Sequence, residues 1–266
     1  MTHSLKGEMQ LHLPFFVVWF TLLAMDRLYG RHAVHECLRA RRRQASKLLL
    51  AEGTQDAPII RDIVALAKAQ NVPQIQARRE FFDQISTHAQ GVALEVGEYP
   101  YVDLGEMFAR AAERQEKPFL LMLDSLQDPQ NFGNLIRTAE AVGVHGIIIS
   151  ERRSAAVTPS VVNTSAGAVE HMLIARVVNL ARTVDELKKR DVWIAALQSD
   201  PRAQEIYKAD LKGAFALIVG SESEGISRLL RDKADFLIRL PMRGQIESLN
   251  ASVAGAVALY EMWRQR

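Results

Sequence analysis

Cysteine is almost absent from this chain. Only Cys37 carries a thiol among 266 residues, so no intrachain disulfide forms, and neither a cysteine-based zinc site nor an iron–sulfur cluster has enough ligands. A reducing, cytoplasmic setting is the natural expectation. Excess charge of one sign is missing too: 33 Lys+Arg against 31 Asp+Glu leave a net charge of +2, a balance that by itself announces no polyanionic partner. Internal repeats and low-complexity tracts are absent. With 48% hydrophobic and 24% charged residues, disorder and fibrous architectures are excluded, and the length suffices for one large domain or two modest ones.

Long apolar runs are scarce. The one uncharged stretch, MQLHLPFFVVWFTLLAM, lies between Glu8 and Asp26. It contains His12 and Pro14, has only Lys6 beside Glu8 as its flank, is followed by no small-residue cleavage site, and falls short of the roughly 20 apolar residues that span a bilayer. Residues 1–25 are therefore expected to be an apolar extension that packs loosely or not at all, membrane anchoring being disfavoured.

Residues 26–97 read as a small α/β unit. Residues 26–47 hold seven basic and two acidic side chains, a local charge of 7 − 2 = +5, and the rest of the chain nets −3. A helix there directs His32, Val34, Cys37 and Leu38 toward a core and fans Arg39, Arg41, Arg42 and Arg43 outward. A strand at 47–51, a helix over 59–70, an extended piece at 72–76 and a strand at 91–96 follow. Residues 98–117 read as a linker that Tyr and Pro open and a charged helical piece closes. From residue 118 to 266, apolar runs at 119–123, 146–149, 172–177, 192–197, 214–219 and 236–240 alternate with helical patterns. Continuous apolar strands imply a parallel sheet covered on both faces. The last helix, about 248–263, is rich in Ala, Ser and Gly on one side, which lets a neighbour approach closely.

In open parallel sheets ligands bind beyond the carboxyl ends of the strands. The fingerprint G-x-G-x-x-G is missing after the first of these strands, no G-x-x-x-x-G-K-[ST] occurs, and Gly-Ser-Glu-Ser-Glu-Gly at 220–225 lacks the spacing of a nucleophile elbow. Ordinary dehydrogenases, P-loop NTPases and serine hydrolases are disfavoured. Three polar, glycine-bearing segments stand at the strand ends instead: DPQNFGNLIRTAEA at 128–141, IVGSESEGI at 218–226 and LPMRGQIESLNASVA at 240–254. Together they resemble the three motifs of the SpoU/TrmH branch of the SPOUT RNA ribose 2′-O-methyltransferases. The unit at 26–97, opening LYGRHAVHE, resembles the L30e-like RNA-binding domain of the subgroup that methylates a guanosine of 23S ribosomal RNA.

That resemblance implies a trefoil-knotted parallel sheet in the 118–266 domain and bound S-adenosyl-L-methionine (AdoMet) near Leu197, Ile218, Gly220, Leu240 and Leu249. It also implies a homodimer whose active sites borrow residues across the subunit interface. Asn131, Arg137, Glu222, Ser248 and Asn250 are the implied catalytic residues. Each has a plainer reading: Gly220 a strand-to-loop turn, Leu240 and Leu249 core, Arg137 a surface charge, Glu222 an acid before a helix, Asn131 a brace of the loop backbone, Ser248 and Asn250 caps of the last helix. Arg137 keeps its proton in nearly all protein settings, so a phosphate clamp suits it better than general-base work. The Arg39, Arg41, Arg42, Arg43 cluster could be a solvated helix end, but on a domain that otherwise lacks chemistry it reads as an RNA phosphate contact. His32, His35 and Cys37 fit packing better than a metal site, since one helix cannot aim all three at one ion, and His145 fits a structural role. The reading is a cytoplasmic, metal-free RNA ribose methyltransferase acting on 23S ribosomal RNA. A tRNA ribose methyltransferase and a catalytically silent RNA-binding ribosome-assembly factor are its rivals.

Overall fold

The computed structural model describes residues 25–54, 57–200, 202–246 and 248–266; apart from Met25, the apolar extension lies outside them. Seven elements make the small domain: β1 (Asp26–Tyr29), α1 (Arg31–Ala40), β2 (Ala45–Ala51), α2 (Pro58–Ala69), β3 (Gln74–Ala77), α3 (Arg79–Ile85) and β4 (Val92–Val96). The sheet order is β1-β4-β2-β3, with only β3 and β2 parallel. The basic stretch is not helical from its start. Residues 26–29 pair with β4, Leu28 opposite Leu94 in the core and Arg27 opposite Glu95 outside, the alternation of a strand with one wet face.

In α1, Ala33, Val34, Cys37 and Leu38 are buried, a stripe at helical spacing. His32 is exposed, contrary to expectation: it sits in the first turn, off that stripe. The helix stops where Arg41 adopts a left-handed backbone, φ 55°, and the chain then turns inward. Arg42 and Arg43 do not fan outward.

Residues 98–117 have the composition of a linker yet are packed. Tyr99 is buried, and α4 (Leu104–Glu113), started by an Asp103/Glu106 capping box, buries Met107 and Ala111. A Cβ on Gly146 would stand 2.3 Å from the Met107 sulfur, so the bare strand there makes room for α4.

The larger domain contains β5 (Phe119–Asp124), α5 (Pro129–Ala141), β6 (Gly146–Ser150), α6 (Pro159–Thr164), a 3-10 turn (Ala168–His171), β7 (Ile174–Val177), α7 (Leu180–Lys188), β8 (Trp193–Leu197), β9 (Gln204–Glu205), a second 3-10 turn (Ile206–Lys208), β10 (Phe215–Gly220), α8 (Arg228–Lys233), β11 (Phe236–Arg239) and α9 (Ala251–Gln265). Every pair in the sheet, ordered β7-β6-β5-β10-β8-β11-β9, is parallel. All six apolar runs are strands; β9, two residues long, shows no periodicity to read. Along β5, Phe119, Leu121 and Leu123 join the core beneath α5 and α9, while Leu120 and Met122 join the core beneath α4, α7 and α8. Burial on both faces is why these strands are apolar without alternation.

The small-residue side of α9 is spent inside the chain. A Cβ on Gly255 would come 2.6 Å from Leu135 of α5. No described helix is long and apolar enough to cross a membrane, and among the described residues no group of three or more His, Cys, Asp or Glu side chains is placed to hold a metal ion.

Candidate active site

β5 and β10 are neighbours and end together, Gly220 in register with Asp124. Beyond Asp124, Asp128 caps α5 by accepting from the backbone N–H of Gln130 (3.3 Å) and Asn131 (2.9 Å), with Pro129 at the first helical position. The cap fixes Asn131 on the first turn, where it is 6% exposed. Beyond Gly220 the chain folds straight back: Ser221 bridges Gly225, and a Cβ on Gly220 would lie 2.2 Å from the Gly225 carbonyl carbon. Only glycine permits that backbone contact. Asp124 ties the returning strand down by accepting from the Ser227 N–H at 2.7 Å.

Three distant segments meet here through side chains. Asn131 Nδ2 donates to Glu222 Oε1 at 2.8 Å, and Asn250 Nδ2 donates to Asn131 Oδ1 at 3.0 Å and also to Glu222 Oε1. Asn250 is simultaneously the cap of α9, its Oδ1 accepting from the N–H of Ser252 (2.9 Å) and Val253 (3.2 Å). Both amides bind the same carboxylate oxygen, which fixes the Glu222 rotamer and leaves Oε2 engaged by neither. The plainer readings of Asn131 and Glu222 do not hold. Asn131 braces two side chains rather than loop backbone, and Glu222 precedes α8 by too many residues to serve its first turn.

Glu222 separates two hollows. A cavity of about 340 Å³ on one side is lined by Leu197, Gly220, Leu240 and Leu249, with Ser248, Gln198, Ser199, Met242 and Arg231 among its other walls. A cleft on the other side is lined by Gln127, Asp128, Asn131 and Arg153. Of the expected cofactor positions, only Ile218 is elsewhere: it is wholly buried inside β10, between β5 and β8. Ser248 lines the cavity and does not cap α9. The cavity suits a ligand with a flat apolar part and a polar end, because Leu197, Leu240, Met242 and the half-exposed Leu249 face it beside backbone that carries no side chain at Gly220. Two of its walls also carry orphaned polar atoms, Gln198 Oε1 and Arg231 Nε, both shut off from solvent without a hydrogen-bond partner.

Arg137 does not join this cluster. It is exposed further along α5 and lines a separate cavity between the domains with His32, Glu36, Arg39 and His171. Within one chain, then, the site holds Asn131, Glu222, Ser248 and Asn250 but not the arginine. Arg153, Gln198 and Arg231 were not foreseen, being single polar residues in loops or on a short helix with no pattern around them.

The basic cluster divides. The Arg39 side chain is 65% exposed and Arg41 is exposed, but the Arg43 side chain is 0% exposed, paired with Asp26 (3.0 Å) and Glu170 (3.2 Å). Arg42 donates to Tyr99 Oη (3.2 Å) and to the carbonyls of Pro100 (3.1 Å) and Met172. Arg42 and Arg43 therefore join the domains and are unavailable to RNA, a correction that follows from the inward turn after Arg41. Burial pushes the Glu170 carboxyl up, opposed by Arg43 and Arg42, and pushes the Tyr99 hydroxyl up to about 12.

Residues 118–260 match the SpoU rRNA methylase family and residues 27–102 the substrate-binding domain of RNA 2′-O ribose methyltransferases. The TrmH family tRNA/rRNA methyltransferase YacO of Bacillus subtilis is 42% identical over 91% of this chain and 96% of its own, and a Staphylococcus aureus relative of the same description is 38% identical over 90% and 96%. Among solved structures, the SpoU methyltransferase AviRb of Streptomyces viridochromogenes, in complex with AdoMet, has the same fold with a TM-score of 0.76 at 23% identity, over 91% of this chain and 90% of that one. The A. aeolicus TrmH/SpoU tRNA modifying enzyme matches 60% of this chain and 84% of its own, with a TM-score of 0.53 at 28% identity. With both domains matched and the three motif segments joined at one site, the chain belongs to the SpoU rRNA methylase family and is an RNA 2′-O-ribose methyltransferase.

Proposed function

We propose that the protein transfers the methyl group of AdoMet to the ribose 2′-hydroxyl of a guanosine in 23S ribosomal RNA, as a cytoplasmic homodimer. The observation that carries this reading is the Asn131–Glu222–Asn250 cluster, closed on the wall of a cavity at the strand ends. Leu197, Leu240 and Leu249 would pack on the adenine while backbone at Gly220 approaches the ligand; AdoMet supplies a sulfonium-activated methyl group. Glu222, anchored through Oε1 by both amides, presents Oε2 to the hydroxyl proton, and fixed geometry supplies much of the rate.

Arg137 completes the site from a second copy. It keeps its charge and clamps a phosphate next to the reacting ribose. Supporting a dimer, α9 shows solvent an apolar stripe of Val253, Val257 and Tyr260, 49%, 37% and 51% exposed, at the spacing of one helix face. The trefoil threading implied by the family belongs to the same proposal, supported by the convergence of 197–199, 219–226 and 240–254 on one cavity. Arg39 and Arg41 on the small domain grip RNA backbone, joined by Arg31 and Arg79, which line a cavity with no carboxylate among its described walls.

Mapping ribose methylation in RNA from cells lacking the gene tests the target: loss of one guanosine mark in 23S RNA is expected, and loss confined to tRNA transfers the reading to the tRNA enzymes. Mixed dimers test the sharing. Arg137→Ala and Glu222→Gln chains, each inactive alone, should recover about one quarter of wild-type turnover when mixed, since half the dimers then hold one intact site of two. No recovery assigns Arg137 to its own chain. A silent assembly factor would bind RNA but give no heat with AdoMet.

A further inference from the structure

The cavity beside Glu222 holds two unmet polar demands of opposite kind. The Arg231 side chain makes no hydrogen bond, and its Nε is shut off from solvent; the Gln198 side-chain oxygen is likewise buried and unpaired. Native proteins rarely leave such atoms orphaned, because each unsatisfied group forfeits its hydration for nothing. The nearby carboxylate, Asp200, feels the charge of Arg231 but hydrogen-bonds Arg202 instead, at 2.8 and 3.1 Å, and leaves Arg231 Nε without a hydrogen bond. Local structure explains how both groups reach the cavity. Arg231 lies on α8, which the chain enters directly from the folded-back 221–227 turn, and Gln198 follows the last residue of β8, its backbone N–H donating to Ile238 of the adjacent β11.

A guanidinium whose Nε is shut off from solvent asks for an anion, and a buried amide oxygen asks for a donor. One ligand end satisfies both at once: an α-amino acid zwitterion, whose carboxylate accepts from Arg231 and whose ammonium donates to Gln198. We infer that Arg231 and Gln198 together form the subsite for the amino-acid end of the methyl donor, opposite the apolar wall of Leu197, Leu240 and Leu249 that takes its flat end. This rests on the function proposed above. It adds that the donor is recognised by its charge at one end, through positioning residues that touch neither the ribose nor the transferred methyl group.

The test is calorimetry on the full chain with two thioethers that differ only at that end, S-adenosylhomocysteine, which has the zwitterion, and 5′-methylthioadenosine, which does not. Removing a charge-assisted pair is worth about tenfold or more in affinity. Arg231→Met should therefore weaken S-adenosylhomocysteine at least about tenfold and leave 5′-methylthioadenosine within about twofold, with Arg231→Lys intermediate. Gln198→Leu should weaken S-adenosylhomocysteine about threefold to tenfold by losing one hydrogen bond to a charged group, again sparing the truncated ligand. Equal weakening of both ligands would make these residues merely structural and overturn the subsite, as would unchanged affinity for both. If the wild-type chain binds neither compound, the methyltransferase reading fails, and the subsite with it; binding by wild type with indifferent variants sinks the subsite alone.

Discussion

The junction between the small domain and the 3-10 turn at Ala168–His171, and the cluster at the carboxyl ends of β5 and β10, both bury polar side chains but close in different ways. At the junction Arg43 is fully enclosed between Asp26 and Glu170, and Arg42 is spent on Tyr99 and main-chain carbonyls. Full charges face full charges there inside the chain, although Arg43 Nε and Nη2 and both Glu170 oxygens make no hydrogen bond. At the strand ends Asn131 and Asn250 hold one oxygen of a carboxylate whose other oxygen they leave alone, next to open cavities. A polar cluster matched within the chain fixes geometry between domains. One that fixes a carboxylate yet leaves part of it uncommitted is arranged for something outside the chain.

The largest expected effect tests the first half of that comparison. Arg43→Ala strands the buried Glu170 and should cost about 3–5 kcal/mol, read as a lower urea midpoint; Arg43→Met with Glu170→Met should recover most of it. A loss below 1 kcal/mol, on the scale of exposed pairs, would show that the junction is not sealed. The second half is tested by Glu222→Gln, which keeps the shape and removes the charge. Turnover should fall about 10²- to 10³-fold while the urea midpoint stays put; a parallel loss of stability would make this cluster as structural as the junction.

Gly220→Ala should show both faces of the site. With its Cβ driven into Gly225 backbone, stability should drop by about 1–3 kcal/mol and AdoMet affinity with it; a neutral result would free the turn of its constraint. The smallest effect concerns His145, wholly buried at the opposite ends of the strands. The Phe119 N–H donates to its Nδ1 at 3.0 Å, so Nε2 carries the hydrogen shared with Glu116, also at 3.0 Å. Burial lowers its pKa, opposed by Glu116, so the folded chain keeps the ring neutral while the unfolded chain takes up a proton. The His145 contribution is therefore constant above about pH 6.5 and fades as pH falls below it, by at most about 1.4 kcal/mol per pH unit. His145→Asn should flatten that acid slope, and an unchanged slope would assign it to other groups.

Strand positions and the parallel sheet were legible in the sequence, whereas Asn131, Glu222 and Asn250 were singled out only through the resemblance of their segments to the family motifs. Burial on both faces forces unbroken apolar runs, and tight turns force glycine, asparagine and capping acids into fixed places. The sequence showed equally that 26–47 is basic and that 98–117 is polar. It did not show that the chain reverses at Arg41, which sends two of four arginines inward, or that α4 is packed onto the sheet through the gap at Gly146. Nor did it separate Arg137 from the cluster that shares its motif. Periodicity reports which face of one element is apolar; it carries no information about what another element, a hundred residues away, places against that face. The partners of Arg43, the hollow around Arg231 and the distance between Arg137 and Glu222 are all of that second kind, and only the tertiary fold decided them.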